Sequence, residues 1–410
     1  MKIIRNLTAV ILLMASSVLA AQDVLDDYLE MAAENNPELM YRFNEYMAAL
    51  ERIPQVKALP DPKLVFAFFI SPVETRMGPQ QFRISASQFF PWFGTLEAKE
   101  NVAIESAKEK YELFMETKSS LYRDIKNVYY NIYFNSKSIE ITRESISLLE
   151  SMQKTVNVKA EAGMVPVTDE YLLELEINDM ENQLAELRDS YIKLETEFIQ
   201  LVNSDSIYAV NIPVVLWDTE PGPDRQSALD SVLAGNHSLL ALEFKVAALD
   251  HQREVAELEG RPGFNISLDY IAVGRGETGL AGKDAFVFPS VGISIPLYRN
   301  KYRAMVKESA YMEAGSRYNT SNRINALEIL FEKAWRDYAD ADRRIKLNIS
   351  QSELAGKYLE ILESEYSTAG NDFEELLRME RRLLKYSLEL EKARADRHSA
   401  IAIIEYLMGK

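Results

Sequence analysis

The chain has 410 residues, no cysteine and a formal net charge of −17. An excess of acidic residues repels the phosphate backbone, so this charge argues against a nucleic-acid-binding protein. Without cysteine the chain can form no disulfide and offers no thiol for a lipid anchor, so its stability must come from packing.

The N-terminal segment predicts a secretory signal peptide over residues 1–21. Lys2 and Arg5 precede an apolar run that ends in small residues, with cleavage expected after Ala20 or Ala21. Its removal takes away two cations and no acid, which changes the net charge from −17 to about −19. The apolar run is too short to span a bilayer, and the sequence suggests no other membrane helix. A mature protein that crosses a membrane would therefore do so as a closed β-barrel.

An internal repeat with a period of about 200 residues organises the rest of the sequence. Residues 36–39 read Asn-Pro-Glu-Leu, and residues 236–239 read Asn-His-Ser-Leu. Gly163 and Gly370 likewise lie at corresponding turns between two long helical stretches. One supersecondary unit has therefore been built twice.

The repeat predicts three parts after the signal peptide. These are a first repeat over residues 22–203, a polar, proline-rich connector over 204–226 and a second repeat over 227–410. In each repeat a helical stretch leads into a hairpin, a very long helix and a final helix. The first helical stretch is expected to cover residues 23–57 without a break. Because the repeats are not self-contained globules, we expect one elongated body.

Two hairpins are predicted, with strands at about 63–70 and 81–90 in the first repeat and at about 264–273 and 286–297 in the second. Apolar and polar side chains alternate along them, so each strand has one apolar face. The apolar face contains Phe66, Phe68, Phe82, Ile84, Phe264, Ile266, Leu268 and Ile293. Alternation of this kind fits a soluble sheet packed on helices and a sheet in a membrane equally well.

Aromatic residues where strand meets helix favour the membrane. Phe90, Trp92 and Tyr298 lie at these junctions, and aromatic rings prefer the membrane interface. Strands of this length can cross an outer membrane, with the apolar faces toward lipid. Four strands cannot close around a channel, but three copies of the chain would supply twelve.

Two stretches predict unusually long helices. Residues 95–160 contain neither glycine nor proline, which at about 1.5 Å per residue gives roughly 100 Å of helix. The second stretch covers residues 299–367. Each is followed by a helix whose apolar residues have heptad spacing, so we expect each pair to form an antiparallel coiled coil across a short turn.

With its elements in this order, the sequence resembles the TolC family of trimeric outer-membrane efflux channels. The resemblance rests on the repeat, on Pro-Trp-Phe-Gly at residues 91–94, on Ile-Ser-Ile-Pro-Leu at residues 293–297 and on the glycine turns followed by heptads. It covers essentially the whole mature chain. No single motif is specific to the family, so the resemblance depends on the order and spacing of the motifs.

The resemblance implies a mainly α-helical protein with a membrane β-barrel part. A homotrimer would form a 12-stranded β-barrel in the outer membrane of a Gram-negative bacterium, surrounded by lipid and continued by a periplasmic α-helical barrel of coiled coils. Such a channel is passive and has no cofactor. It conducts substrates from an inner-membrane transporter and a periplasmic adaptor (membrane fusion) protein, as in tripartite efflux or type I secretion. The resemblance does not identify the substrate, which could be drugs, metal ions, protein or polysaccharide, because the transporter largely selects the substrate.

The resemblance also puts the two interhelical turns at the periplasmic tips, where the family closes its pore and meets the adaptor. These turns contain Gly163 and Pro166 in the first repeat and Gly370 and Phe373 in the second. A plain structural explanation carries equal weight, because glycine lets the chain reverse without a Cβ clash.

Acidic side chains follow both turns: Asp169 in the first repeat and Asp372, Glu374 and Glu375 in the second. In a threefold assembly each would form a ring of three carboxylates, which would close the pore electrostatically and favour cations. We expect Glu375 to matter most and Asp372 next, although Arg378 stands where another acid would be expected. The alternative is that these are ordinary carboxylates favoured near a helix N-terminus.

No residue pattern predicts catalysis or a metal site. The 14 methionines fall mostly on apolar helical stripes, and the three histidines are scattered singly without metal-ligand spacing. No nucleophile elbow or phosphate loop is visible. The alternative to a channel is a soluble periplasmic coiled-coil scaffold, in which the strands would form a small cap.

Overall fold

A computed structural model of the chain describes residues 24–204, 207, 209–276, 282–369 and 373–410. The expected signal peptide lies outside these residues, as do Gly370 and Asp372 of the second turn.

The first repeat forms helices and a hairpin in the expected order. Its elements are α1 (24–35), α2 (Pro37–Lys57), β1 (Lys63–Phe68), β2 (Glu74–Thr75), β3 (Gly78–Phe90), α3 (Thr95–Glu161) and α4 (Val167–Val202). α3 is a single helix of 67 residues. It contains neither glycine nor proline, so no residue weakens or removes its backbone hydrogen bonds.

The second repeat follows the same plan. Its elements are α5 (Arg225–Gly235), α6 (His237–Glu259), β4 (Gly263–Val273), β5 (Ala285–Ser294), α7 (Arg299–Ala369) and α8 (Phe373–Leu407). α7 is again a single helix, of 71 residues. The prediction of a mainly helical chain built from a duplicated helix, hairpin, long helix and helix unit is confirmed.

An asparagine interrupts the helical stretch at the start of the first repeat. The sequence predicted an unbroken helix over residues 23–57, but Asn36 separates α1 from α2. Its side-chain oxygen accepts hydrogen bonds from the backbone N–H groups of Glu38 (3.0 Å) and Leu39 (3.1 Å) and so caps α2. Its Nδ2 donates to the carbonyl oxygen of Leu201 near the end of α4, at 3.1 Å.

Asn236 has the same position in the second repeat. Its backbone is extended, with φ −67° and ψ 119°, so α5 and α6 are separate helices. The residue is fully buried, and its Nδ2 donates to the carbonyl oxygen of Leu407 at the end of α8, at 3.0 Å. In both repeats, therefore, an asparagine near the start of the repeat forms a side-chain hydrogen bond with a backbone carbonyl in the last turn of the final helix.

One described segment, residues 225–259, is long and apolar enough by length and composition to cross a membrane. The sequence had suggested no such candidate beyond the N-terminus. Asn236 divides the segment into α5, with 11 residues, and α6, with 23. The second half of α6 is rich in charged residues, so neither helix contains about 20 apolar residues in a row. We therefore interpret the segment as two helices of the protein body.

Several elements begin or end a few residues from their expected positions. β3 starts at Gly78 because it also pairs with the short β2. β5 ends at Ser294, three residues before the expected end, since Pro296 has no N–H group to donate to a strand ladder. α5 starts at Arg225, inside the expected connector, because the side chain of Asp224 accepts hydrogen bonds from its first turn.

The two hairpins join into one antiparallel sheet. The strand order is β1-β3-β4-β5, with β2 beside β3. β3 and β4 pair from Phe90 opposite Phe264 to Gln80 opposite Val273, so a strand of the first repeat lies next to a strand of the second. Among the described residues, β1 and β5 each pair along one side and form the two edges of the sheet.

The chain divides into two compact units, and each contains segments of both repeats. The first unit comprises the described residues of Met1–Tyr41, Met115–Asn236 and Ile324–Lys410, and the second comprises Arg42–Phe114 and His237–Arg323. The first unit is helical, with an aromatic core. Its largest fully buried side chains include Tyr129, Tyr133, Phe198, Phe331 and Ile404. The second unit contains the sheet.

Candidate functional site

One face of the sheet is apolar and exposed. The strand register puts all eight apolar side chains named from the sequence on the same face, which contains Phe66, Phe68, Phe82, Ile84, Phe264, Ile266, Leu268 and Ile293. Phe66, Phe68 and Ile293 are 61%, 78% and 60% exposed. An exposed apolar face of this extent indicates a surface that contacts lipid or another chain.

The opposite face of the sheet is polar. There the Nη2 atom of Arg83 on β3 lies 2.6 Å from Oδ1 of Asp269 on β4. The hydroxyl of Ser85 donates to the same carboxylate oxygen. Because a charged pair is costly against hydrocarbon, this face suits water and the other suits lipid.

Aromatic side chains cluster where the strands meet the helices. Trp92 stacks on Phe264, with ring centroids 6.0 Å apart and an interplanar angle of 23°. Phe90 is half-buried. Phe93 and Tyr298 are 77% and 84% exposed. Rings that are large, exposed and clustered at one end of the strands have the distribution expected at a membrane interface.

The turn between α3 and α4 reverses the chain within five residues. Gly163 has φ +68°, the left-handed conformation that glycine adopts without a Cβ clash. Pro166 is the N-cap residue of α4, with φ −65° and ψ 144°. Met164 and Val167 are 71% and 51% exposed, so the turn presents apolar side chains to its surroundings.

The helix ends near both turns share one hydrophobic core. It is formed by α3, α4, α7 and α8, and its buried members include Val156, Val165, Leu173, Ile177, Leu362, Tyr366, Phe373 and Leu376. Phe373, which was expected as an adaptor-contacting residue, is only 4% exposed. Its ring packs on Tyr366, with ring centroids 5.2 Å apart, so it belongs to the hydrophobic core between α7 and α8.

The acidic side chains named from the sequence have different environments. Asp169 is buried in the first turn of α4, and burial raises the pKa of its carboxyl above the ordinary value. Glu374 is exposed. Glu375 forms an ion pair with Arg378 one turn later, so part of its charge is neutralised within α8.

Sequence analysis missed a contact that joins the ends of the two long helices. Nζ of Lys159 on α3 donates to the carbonyl oxygen of Tyr366 on α7 at 2.9 Å, and it lies 4.7 Å from the centre of the Tyr366 ring. Burial and the nearby charge of Asp169 raise the pKa of the Tyr366 hydroxyl to about 12. The only sequence signal for this contact was the aromatic residue Tyr366, four positions before Gly370 of the second turn.

A buried carboxylate in α8 was missed as well. Glu380 is 5% exposed, and its Oε1 atom has no hydrogen-bond partner among the described residues. Burial and the charge of Glu363 on α7 raise the pKa of Glu380 to about 7. The spacing could have predicted its burial, because Glu380 follows Leu376 by four residues and so lies on the same apolar face of the helix.

Among the residues that the structure describes, no three histidine or acidic side chains are grouped so as to hold a metal ion. The features that stand out are instead surfaces: a two-faced sheet, an aromatic junction and two helical turns.

Solved structures of outer-membrane channels share the fold of this chain. VceC, an outer-membrane protein from Vibrio cholerae, is 15% identical, with a TM-score of 0.78 over 95% of this chain and 97% of that chain. The CmeC outer-membrane channel of Campylobacter jejuni is 12% identical, with a TM-score of 0.76 over 94% and 85%. The open state of the Neisseria gonorrhoeae MtrE outer-membrane channel is 14% identical, with a TM-score of 0.73 over 94% and 89%.

The sequence by itself is distant from described families. It matches no family model, and no curated protein matches it. The likeness to the solved channels is therefore a likeness of fold, and it extends over nearly the whole chain.

Proposed function

We propose that this chain, which has a TolC-like fold, is an outer-membrane efflux channel of a Gram-negative bacterium. The observation that carries the proposal is the two-faced sheet of this fold, whose apolar face is exposed in a chain with a net charge of −17. A soluble acidic protein would have to cover such a face. Lipid on the apolar side and water on the polar side satisfy both faces.

Three copies would form the channel. In a bilayer every backbone N–H and C=O group needs a partner, so the edge strands β1 and β5 cannot both stay open. Pairing β5 of one copy with β1 of the next removes these edges. The four strands in the row β1-β3-β4-β5, without the two-residue β2, would give a closed ring of twelve from three chains.

The helices would continue the duct and end at its aperture. The turns at Gly163 to Pro166 and at Gly370 to Phe373 would form the periplasmic tips, where an adaptor protein docks and an inner-membrane transporter supplies the cargo. Exposed Met164 and Val167 support an apolar contact at the first tip. Conduction itself would be passive, with the transporter as the source of energy.

The acidic residues after the turns would form carboxylate rings at the aperture. Asp372, Glu374 and Glu375 would each occur three times in the assembly, whereas Asp169 is buried within its own chain and would join such a ring only if the turn rearranged. Arg378 offsets the charge of Glu375, so the ring at this level would be weaker than three free carboxylates. Removing the Glu375 side chain should change the passage of ions only if the ring of Glu375 carboxylates lines the pore.

Single-channel conductance of the purified mature protein in a planar bilayer tests the proposal. We expect discrete conductance steps that increase in Glu375→Ala and are blocked less by divalent cations added on the periplasmic side. Glu51→Ala, which removes an exposed acid of α2, is the matched control and should behave like the wild type. A folded protein that neither conducts nor fractionates with membranes would instead be the soluble scaffold.

A further inference from the structure

The junction between β5 and α7 is strongly basic in an otherwise acidic chain. Residues 297–307 contain no acid. Their four cations are Arg299, Lys301, Arg303 and Lys307. The corresponding junction of the first repeat is mixed, since Lys99 lies there between Glu97 and Glu100. The basic character therefore belongs to the second repeat alone.

A cavity of about 370 Å³ lies at this junction. Aromatic rings of Trp92, Tyr298 and Tyr302 line it together with cationic side chains. The acid on its wall, Glu259, is paired with Lys99 at 2.7 Å. Arg261 and Lys301 thus bring positive charge to the cavity that the lining itself does not offset.

These two cations have no acidic partner among the described residues. Nζ of Lys301 lies 5.4 Å from the ring centre of Tyr302, a contact that leaves its charge in place. The guanidinium of nearby Arg299 donates to the carbonyl oxygen of Gly260 at 3.3 Å, and this neutral acceptor does not offset its charge either. Two cations that line one cavity without an acidic partner attract an anion from outside the chain.

Exposed apolar side chains adjoin the cavity just after the end of β5. Ile295 and Leu297 line the cavity, and Ile293 precedes them at the same two-residue spacing. All three are exposed, at 60% for Ile293, 61% for Ile295 and 78% for Leu297. A ligand that fills the cavity and covers these three side chains would have an anionic head and an apolar tail.

We propose that this cavity binds the phosphate headgroup of an anionic glycerophospholipid, with Arg261 and Lys301 on the phosphate and the acyl chains along β5. The inference rests on the proposed function, which puts the apolar face in a membrane and the helices on the periplasmic side. An arginine fork matches phosphate geometry, and aromatic rings prefer the headgroup level. A free phosphate ion would use the same cations and leave the apolar side chains uncovered.

Fluorescence of Trp92 reports on the site, because its ring lines the cavity. The other tryptophans, Trp217 and Trp335, are replaced by phenylalanine. The full mature chain is then reconstituted in vesicles that contain phosphatidylglycerol or phosphatidylcholine with brominated acyl chains, which quench nearby tryptophan. We expect phosphatidylglycerol to quench Trp92 at a several-fold lower mole fraction.

Removing the cations should abolish this preference. In Arg261→Gln/Lys301→Gln the apparent affinity for phosphatidylglycerol should fall roughly ten-fold, since each cation near an anionic headgroup strengthens binding. Arg343→Gln/Lys346→Gln removes two exposed cations of α7 and serves as the control, which should keep the preference.

Three results would overturn the inference. Equal quenching by the two lipids in a conducting channel would exclude selective headgroup binding and leave the proposed function intact. Displacement of phosphatidylglycerol by millimolar inorganic phosphate would indicate a site for the free ion. No quenching by any brominated lipid, together with no conductance, would reject both the lipid site and the channel.

Discussion

Glu380 places a carboxylate among the apolar side chains of the helix-end core. It follows Leu376 and Leu377 on the buried stripe of α8, and Glu363 on α7 adds a second negative charge nearby. Arg381, the next residue, forms an ion pair with Glu176 of α4 and therefore does not neutralise Glu380. A buried carboxylate without a cation is tolerated mainly in its protonated form.

The stability of the helix-end core should therefore depend on pH through Glu380. The pKa of Glu380 is raised from the ordinary value of 4.5 to about 7, so between these values the folded state keeps a proton that the unfolded state releases. The stabilisation is complete below the lower value and is lost as the pH rises toward 7. Thermal unfolding of the assembled protein between pH 5 and 8 should show Tm falling with pH.

Glu380→Gln should flatten this dependence, because the amide cannot ionise. The control is Glu374→Gln, which changes an exposed acid in the first turn of the same helix and should keep the slope of the wild type. A Glu380→Gln profile that parallels the wild type would mean that the carboxylate finds a cation or water in the assembly.

At the level of elements, the proposed function has the sheet separate lipid from water. Ile84 and Leu268 lie on the apolar face of β3 and β4 as diagonal neighbours two residues out of direct register, since Ile84 pairs with Tyr270 and Leu268 with Ala86. Ile84→Asp/Leu268→Asp should abolish assembly in the outer membrane, because charges on the lipid side of a strand cost about 2–4 kcal/mol each near the bilayer midplane for basic residues and somewhat less for acidic ones. Membrane fractionation with a heat-modifiability assay measures the loss.

The chain offers a matched control on the polar face. Ser87→Asp/Asn265→Asp introduces the same two charges on the same two strands with the same diagonal offset, since Ser87 pairs with Ser267 and Asn265 with Phe89. This variant should assemble. Equal loss in both variants would indicate a general defect in strand pairing, and normal assembly of the first variant would contradict a lipid-facing surface.

The regular elements were predictable from sequence because local rules decide them. Alternation located the strands, and the absence of glycine and proline located α3. The break at Asn36 has a local cause that the sequence shows, since an asparagine followed by Pro37 is a typical start of a helix. What the sequence could not show is that the same side chain donates to the carbonyl of Leu201, 165 residues away. At the candidate site, the turn at Gly163 follows from local sequence, whereas the contact of Lys159 with Tyr366 depends on how α3 and α7 pack.

At the level of the whole molecule, the proposed channel pairs the open edges β1 and β5 with those of other copies of the chain. Within one chain they are separated by β3 and β4, and strands are about 4.8 Å apart, so their Cα atoms lie roughly 14 Å from one another. A disulfide needs Cα atoms closer than about 7 Å. Cysteines on the two edges can therefore be joined only between chains.

Lys63→Cys/Ser294→Cys tests this arrangement in a chain that has no natural cysteine. Lys63 starts β1 and Ser294 ends β5, so both lie at the end of the sheet that adjoins the helices. Oxidation in membranes should yield covalent dimers and trimers on a denaturing gel, and either single variant should yield no trimer. Monomers alone from an assembled double variant would exclude β1 to β5 pairing at this level.

The β3–β4 ladder has a consequence for how such a ring could have originated. Each repeat contributes one hairpin. The β3–β4 ladder joins the two hairpins within one chain by backbone hydrogen bonds. An ancestor with a single repeat would have carried two strands, so six such chains would have been needed for the same twelve-stranded ring. Fusion of two such copies would have turned every second boundary between subunits into a covalent connection. It would also have let the two hairpins diverge, as the basic junction of the second repeat has from the mixed junction of the first.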